Sequence, residues 1–306
     1  MNPSFIGFFA VLLWGISLPL VRVFEDRIGI PVTVGVLFGG AGILSLTRLF
    51  VLREPFPSRE VWSNPYLYGR WLFFVLHESL CTGSVGIVQK IHLPFVILIN
   101  YLWPTAIILC SVLLAGVKIT RWPAFISGCV IVVASLSIEI MGHEGFSLAL
   151  FSDAKDCLAY AMCFAGAVSW GLYCALSRRA GNVTGGGSVI PFFQLTLGLI
   201  LLFSFVPGFS TWGNLTGWWP VLLFGFCVLQ FVAYLCWDFG MRLGNVVVLS
   251  LCADFIPWLS LLGAYLLVGS DIEGKTILSA VCLVLGAMVT RYGTLQKITK
   301  DEIPEI

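Results

Sequence analysis

Apolar runs of about 20 residues recur along almost the whole chain, at approximately 4–23, 31–50, 67–88, 94–114, 122–140, 157–177, 189–206, 218–239, 246–268 and 276–294. Each is long enough to cross about 30 Å of hydrocarbon as an α-helix. A helix satisfies its own backbone hydrogen bonds inside lipid, so the pattern predicts ten transmembrane helices. The breaks between runs collect charges and helix breakers: Arg22 with Glu25, Asp26 and Arg27; Arg48 to Pro57; Lys118 with Arg121; Arg178 to Gly187; Asp271 to Lys275. Among the 306 residues, 58% are hydrophobic and 11% charged, against about 25% charged in a soluble domain. The predicted fold class is an all-α polytopic membrane protein.

Loop charge orients the helices, because Lys and Arg are retained in the cytoplasm. With an inside N-terminus the cytoplasmic segments hold Arg48, Arg53, Arg59, Arg70, Lys118, Arg121, Arg178, Arg179, Arg242, Arg291, Lys297 and Lys300, whereas Arg22, Arg27, Lys90, Lys155 and Lys275 lie opposite. Twelve against five places both termini in the cytoplasm. The first run has no Lys or Arg before Arg22 and no small-residue cleavage site after it, so it reads as a retained span and not as a signal peptide. The net charge of +1 offers no field for nucleic acid. Ten cysteines lie singly inside apolar runs with no CxxC spacing, which predicts small core residues, with no disulfide framework and no metal site.

The chain also matches itself. Phe9 to Arg22 aligns with Ala165 to Arg178 at an offset of 156, pairing Trp14-Gly15 with Trp170-Gly171. Leu93 to Gly116 aligns with Val246 to Gly269 at an offset of 153, pairing Pro104 with Pro257 and Gly116 with Gly269. Residues 1–150 then form a first five-helix repeat, and 151–306 a second with a short cytoplasmic tail. Five is odd, so the second copy enters the membrane from the opposite side. Such a five-plus-five inverted repeat with interrupted helices points to transport by alternating access around a midplane site.

Polar residues at membrane depth mark that site. Asn100, Trp103 and Pro104 share one face of the fourth span and Tyr101 borders it. Pro104 cannot donate to the carbonyl of Asn100, and Pro257 repeats the arrangement beside Asp254 in the ninth span. Together with Pro19 these prolines are candidate hinges. Asp254 at mid-span needs a partner, a proton or water, and a substrate ammonium would serve. His77 and Glu78 are adjoining ionisable residues in the third span, and either can face a cavity. Trp170, Tyr173 and Cys174 fall at i, i+3 and i+4, making an aromatic face in the sixth. Asp238 reads instead as a partner for Arg242 one turn on. Trp237 and Trp258 are weaker candidates, while Trp62, Trp71, Trp122, Trp212, Trp218 and Trp219 fit the interfacial belt.

No HExxH, GxSxG, GxxxxGK[ST] or GxGxxG motif is present, so no catalytic residue, nucleotide or other cofactor is expected. Lipid and a small-molecule substrate are the expected partners, and no obligate protein partner is evident. A passive small-solute channel is the alternative from another class.

The inverted repeat, with a Trp-containing helix opening each half, resembles the drug/metabolite transporter superfamily in its EamA-type exporter branch. The stretches that carry the resemblance are Asn100-Tyr101-Leu102-Trp103-Pro104-Thr105, Trp170-Gly171-Leu172-Tyr173-Cys174 and Gly244-Asn245-Val246, with Glu78 and Trp237. It implies export of phenylalanine, tyrosine, tryptophan and related metabolites across the bacterial inner membrane, or a broader amino-acid range. Tyr101, Trp103 and Trp170 would line an aromatic cavity, His77 would stand where another aromatic is expected, and Asn100 and Glu78 would take the zwitterion.

Overall fold

The computed structural model describes residues 3–142, 145–146, 148–180, 188–203, 214–243 and 252–294. The side chains of Arg178, Asp238 and Arg242, and the stretch Gly244-Asn245-Val246, lie outside the described residues, as does the expected Asp238–Arg242 pair. The described residues are overwhelmingly helical: α1 (Pro3–Ile28), α2 (Ile30–Val51), the short α3 (Arg59–Trp62), α4 (Leu67–Ile87), α5 (Leu93–Asn100), α6 (Trp103–Leu114), α7 (Trp122–Ile140), α8 (Ala154–Ala180), α9 (Ile190–Phe203), α10 (Trp219–Leu243), α11 (Ile256–Gly263, continued by a π turn over Ala264–Val268) and α12 (Gly274–Tyr292). Among them the only strand pairing is two residues long, Met141–Gly142 against Gly145–Phe146. Seven segments are long and apolar enough to cross a membrane, and Ile190–Phe203 and Ile256–Val268 are shorter. The third expected span is α4, a helix of 21 residues made more polar by Arg70, His77 and Glu78.

The helix ends follow local chemistry. Gly29, at φ 85°, is the single residue between α1 and α2, and Pro31 opens the second helix. The fourth span is broken outright: α5 stops at Asn100, Tyr101 and Leu102 form a turn, and α6 starts at Trp103. Without an N–H on Pro104, the helical ladder ends with Tyr101 N–H on Ile97 and resumes with Ala106 N–H on Leu102. Asp254 and Phe255 form the corresponding turn before Pro257. Both segments end alike, at Gly116 (φ 70°) and Gly269 (φ 72°), with Val117 N–H donating to Ser111 and Ser270 N–H to Ala264 across the left-handed residue. Pro19 behaves differently, because α1 runs through it. The Gly15 carbonyl that Pro19 leaves without a helical donor accepts a hydrogen bond from Ser260 Oγ at 2.7 Å.

Helices in lipid associate through close packing and polar contacts, because lipid tails are as apolar as Leu. Several close approaches among the described helices use glycine. Gly35, Gly39 and Gly42 of α2 meet Leu202, Gly198 and Leu195 of α9 in antiparallel order, so the small-residue stripe of α2 is spent inside the chain. Phe125, Gly128 and Val132 of α7 likewise meet Gly293, Thr290 and Gly286 at the end of α12, with Ser279 Oγ on the Ser135 carbonyl at 2.6 Å. Ser270, just past α11, donates to the Lys90 carbonyl just before α5 at 2.9 Å, so these two segments also run in opposite directions. The arrangement leaves α1, α4, α8 and α10 around a common centre.

Candidate functional site

A cavity of about 90 Å³ lies at that centre. From α1 it takes Trp14, Ser17, Leu18 and Val21, spaced to fall on one helical face. His77, Glu78, Cys81 and Thr82 of α4 do the same, and Gln230 and Tyr234 of α10 lie one turn apart. The break between α5 and α6 delivers Asn100, Tyr101 and Trp103 together, while α8 supplies Trp170 and α11 Ile256.

Aromatic rings make most of the wall. Trp14 packs edge-on against Tyr234 at 5.2 Å between centroids, and Trp170 lies 4.7 Å from the His77 ring and 4.9 Å from Tyr173, stacked behind it. The polar groups are few and buried. Tyr234 donates its hydroxyl to Glu78. His77 Nδ1 is 2.9 Å from the Gly166 carbonyl, which can only accept, so Nδ1 carries the hydrogen and a neutral ring presents Nε2 as an acceptor 4.0 Å from Glu78. Ser17 Oγ, Asn100 Oδ1, Tyr101 Oη and Gln230 Oε1 have no hydrogen-bond partner, although each residue is more than nine-tenths buried. Leaving a buried polar group unpaired costs about 1–3 kcal/mol. Four such atoms line this one cavity, where a ligand with polar groups of its own would meet them.

Six of the eight substrate-site residues expected from sequence line this cavity: His77, Glu78, Asn100, Tyr101, Trp103 and Trp170. Tyr173 does not; it backs Trp170 and packs on Phe74. Asp254 is elsewhere as well, with its two carboxylate oxygens on the Arg291 guanidinium at 3.2 Å each. A buried carboxylate takes the nearest fixed cation, and the last turn of α12 provides one. Pro104 and Pro257 follow helix breaks, whereas Pro19 sits in a continuous helix against Gly263. Sequence reasoning missed Ser17, Thr82, Gln230 and Tyr234, and used Trp14 only to align the repeat. Gln230, an amide inside an apolar run with Tyr234 one turn on, was the available signal. Trp62, Trp122 and Trp218 are exposed near helix ends, but Trp71 is turned inward, bonding Thr196 Oγ1 at 2.8 Å.

Residues 158–292 match the EamA-like transporter family. Three relatives, each named aromatic amino acid exporter YddG, are similar over most of the chain. The protein of Salmonella typhimurium is 26% identical over 96% of this chain and 98% of its own. That of Escherichia coli is 26% identical over 84% and 85%, and that of Ancylobacter novellus 28% identical over 94% and 96%. A crystal structure with 21% identity aligns with 95% of this chain and 97% of its own at a TM-score of 0.65, which shows a shared fold. The chain is accordingly a multi-pass bacterial inner-membrane protein whose residues 158–292 are similar to the EamA-like transporter family.

Proposed function

We infer that the protein exports phenylalanine, tyrosine, tryptophan and related small metabolites by alternating access around the central cavity. The observation that carries this reading is the pairing, in one cavity, of aromatic faces with unpartnered polar atoms: Trp14, Trp103 and Trp170 beside Ser17 Oγ, Asn100 Oδ1 and Gln230 Oε1. Aromatic walls suit a ring by edge and face contacts, and the polar atoms suit an amino-acid head group. At about 90 Å³ the cavity is contracted, since small-molecule sites usually measure about 300–1,000 Å³. Substrate entry therefore requires the surrounding helices to part, as alternating access demands.

A ten-helix, five-plus-five inverted repeat with both termini cytoplasmic fits the packing. The turns at Tyr101–Leu102 and Asp254–Phe255, and the glycine ends at Gly116 and Gly269, recur at the offset of 153 that aligns the two proline helices. In that correspondence α2 matches α9, α7 matches α12, and the α5–α6 pair matches α11. Each matched pair runs antiparallel, as inversion requires.

Reconstitution into liposomes tests the reading. Labelled Phe and Trp are expected to show saturable flux with counterflow, which a channel lacks, and Trp103→Ala or Trp170→Ala is expected to abolish it in correctly inserted protein. Absence of flux for Phe, Tyr and Trp alike overturns it.

A further inference from the structure

The described lining of the cavity holds one carboxyl group and no fixed cation. Among the described residues that line it, Glu78 is the only acid and none is Lys or Arg. The nearby guanidiniums are engaged outside it, Arg22 on the Val85 and Val88 carbonyls and Asp26, and Arg291 on Asp254. The other polar atoms carry no charge, and the unpartnered hydroxyls of Ser17 and Tyr101 can donate or accept. His77 in its neutral form offers Nε2 as an acceptor, and Asn100 Oδ1 and Gln230 Oε1 are acceptors without donors. The faces of Trp14, Trp103 and Trp170 add the negative side of the ring quadrupole, which attracts an ammonium. An amino-acid carboxylate brought here would lose its water for neutral donors only, whereas an ammonium would meet a carboxyl group, acceptor atoms and aromatic faces.

We propose that the cavity binds primary aromatic amines, the aromatic amino-acid skeleton without its carboxylate, more tightly than it binds the amino acids themselves. The inference rests on the reading of this cavity as the substrate site and names the ligand class that its charge pattern prefers. Glu78 is the group that receives the ammonium, with the rings holding the aromatic end.

The test is equilibrium binding of tritiated tryptamine to the purified full-length protein by scintillation proximity, with unlabelled competitors that share a ring and differ in charge. Phenethylamine is expected to displace tryptamine at a concentration about tenfold lower than phenylalanine, a difference of about 1.4 kcal/mol. The carboxylate-only analogue 3-phenylpropanoate is expected to compete far more weakly than either. Glu78→Gln is expected to lower tryptamine affinity, and the wild-type competitor series stands by itself if that variant does not fold. Phenylalanine or 3-phenylpropanoate competing as well as phenethylamine overturns the proposal. So does absent tryptamine binding in protein that carries phenylalanine across liposomes, a result that leaves the exporter reading intact. Tryptamine binding without phenylalanine flux sustains the amine site and removes the amino-acid reading.

Discussion

Tyr234 donates a hydrogen bond to Glu78 across 156 residues of chain, the same interval that separates Trp14 from Trp170. If the offset of the first and sixth spans extends to α4 and α10, the two residues are corresponding positions, and corresponding positions of two copies touch each other only on the axis that relates them. In a five-plus-five inverted repeat the Glu78–Tyr234 bond would therefore sit on that axis, and the cavity beside it would belong equally to both halves. A bond to a buried carboxylate contributes about 1.5–3 kcal/mol. Tyr234→Phe removes the donor outright and is expected to lower the melting temperature in detergent. Glu78→Gln still offers an oxygen to the Tyr234 hydroxyl and is expected to lower it less. Equal, negligible shifts would show that the bond contributes nothing.

The sequence made the elements of this fold legible because lipid imposes a length on each helix and allows few charges within it. Site residues were legible where the chemistry was local: a proline frees the carbonyl four residues earlier, and Asn100, Tyr101 and Trp103 cluster around the resulting break. What could not be read was which helix lies opposite. Nothing in its own span pairs with Asp254, so the sequence leaves open a substrate ammonium, a proton or a neighbouring helix, and the partner is Arg291, 37 residues away at the end of α12. The roles of Tyr234 and Gln230 are illegible in sequence for the same reason: Tyr234 matters because it meets Glu78 and Trp14 across the bundle, and Gln230 because the fold brings it to the same cavity.

The Asp254–Arg291 pair is expected to hold structure and not substrate. Removing one partner of a buried ion pair leaves an uncompensated charge and costs about 3–5 kcal/mol. Arg291→Met should therefore destabilise strongly, and adding Asp254→Asn should restore much of the loss. Melting of the two single variants and the double variant measures this coupling. Substrate affinity in the double variant is expected to stay near wild type; its collapse in a protein of normal stability would return Asp254 to the binding site.

The α2–α9 contact predicts an asymmetry between two glycines that face each other. A Cβ on Gly198 would fall 2.3 Å from the Gly39 Cα, a backbone atom that moves only if the helices separate. One on Gly39 would lie 3.6 Å from the Gly198 Cα, an ordinary contact. Gly198→Ala is thus expected to cost about 1–3 kcal/mol through overpacking. Gly39→Ala should be neutral or slightly stabilising, since Ala is favoured over Gly in a helix by about 1 kcal/mol. Thermal unfolding of the two variants side by side decides it, and equal destabilisation would place the helices differently.

Pro19 and Ser260 offer the sharpest test of the packing between α1 and α11, because one residue creates the need that the other meets. With no N–H on Pro19, the Gly15 carbonyl depends on Ser260 Oγ at 2.7 Å. Ser260→Ala leaves that oxygen buried and unpaired, which costs about 1–3 kcal/mol. Pro19→Ala returns an N–H that can close onto Gly15 as in any α-helix, although it also leaves space where the ring packs on Gly263. In the Pro19→Ala background, Ser260→Ala removes a donor the carbonyl no longer needs. The two substitutions are therefore expected to be non-additive, with the double variant more stable than the sum of the singles by about 0.5–3 kcal/mol. Strict additivity in a four-protein melting cycle would mean that Gly15 is satisfied by some other group, and that Ser260 does not serve the proline.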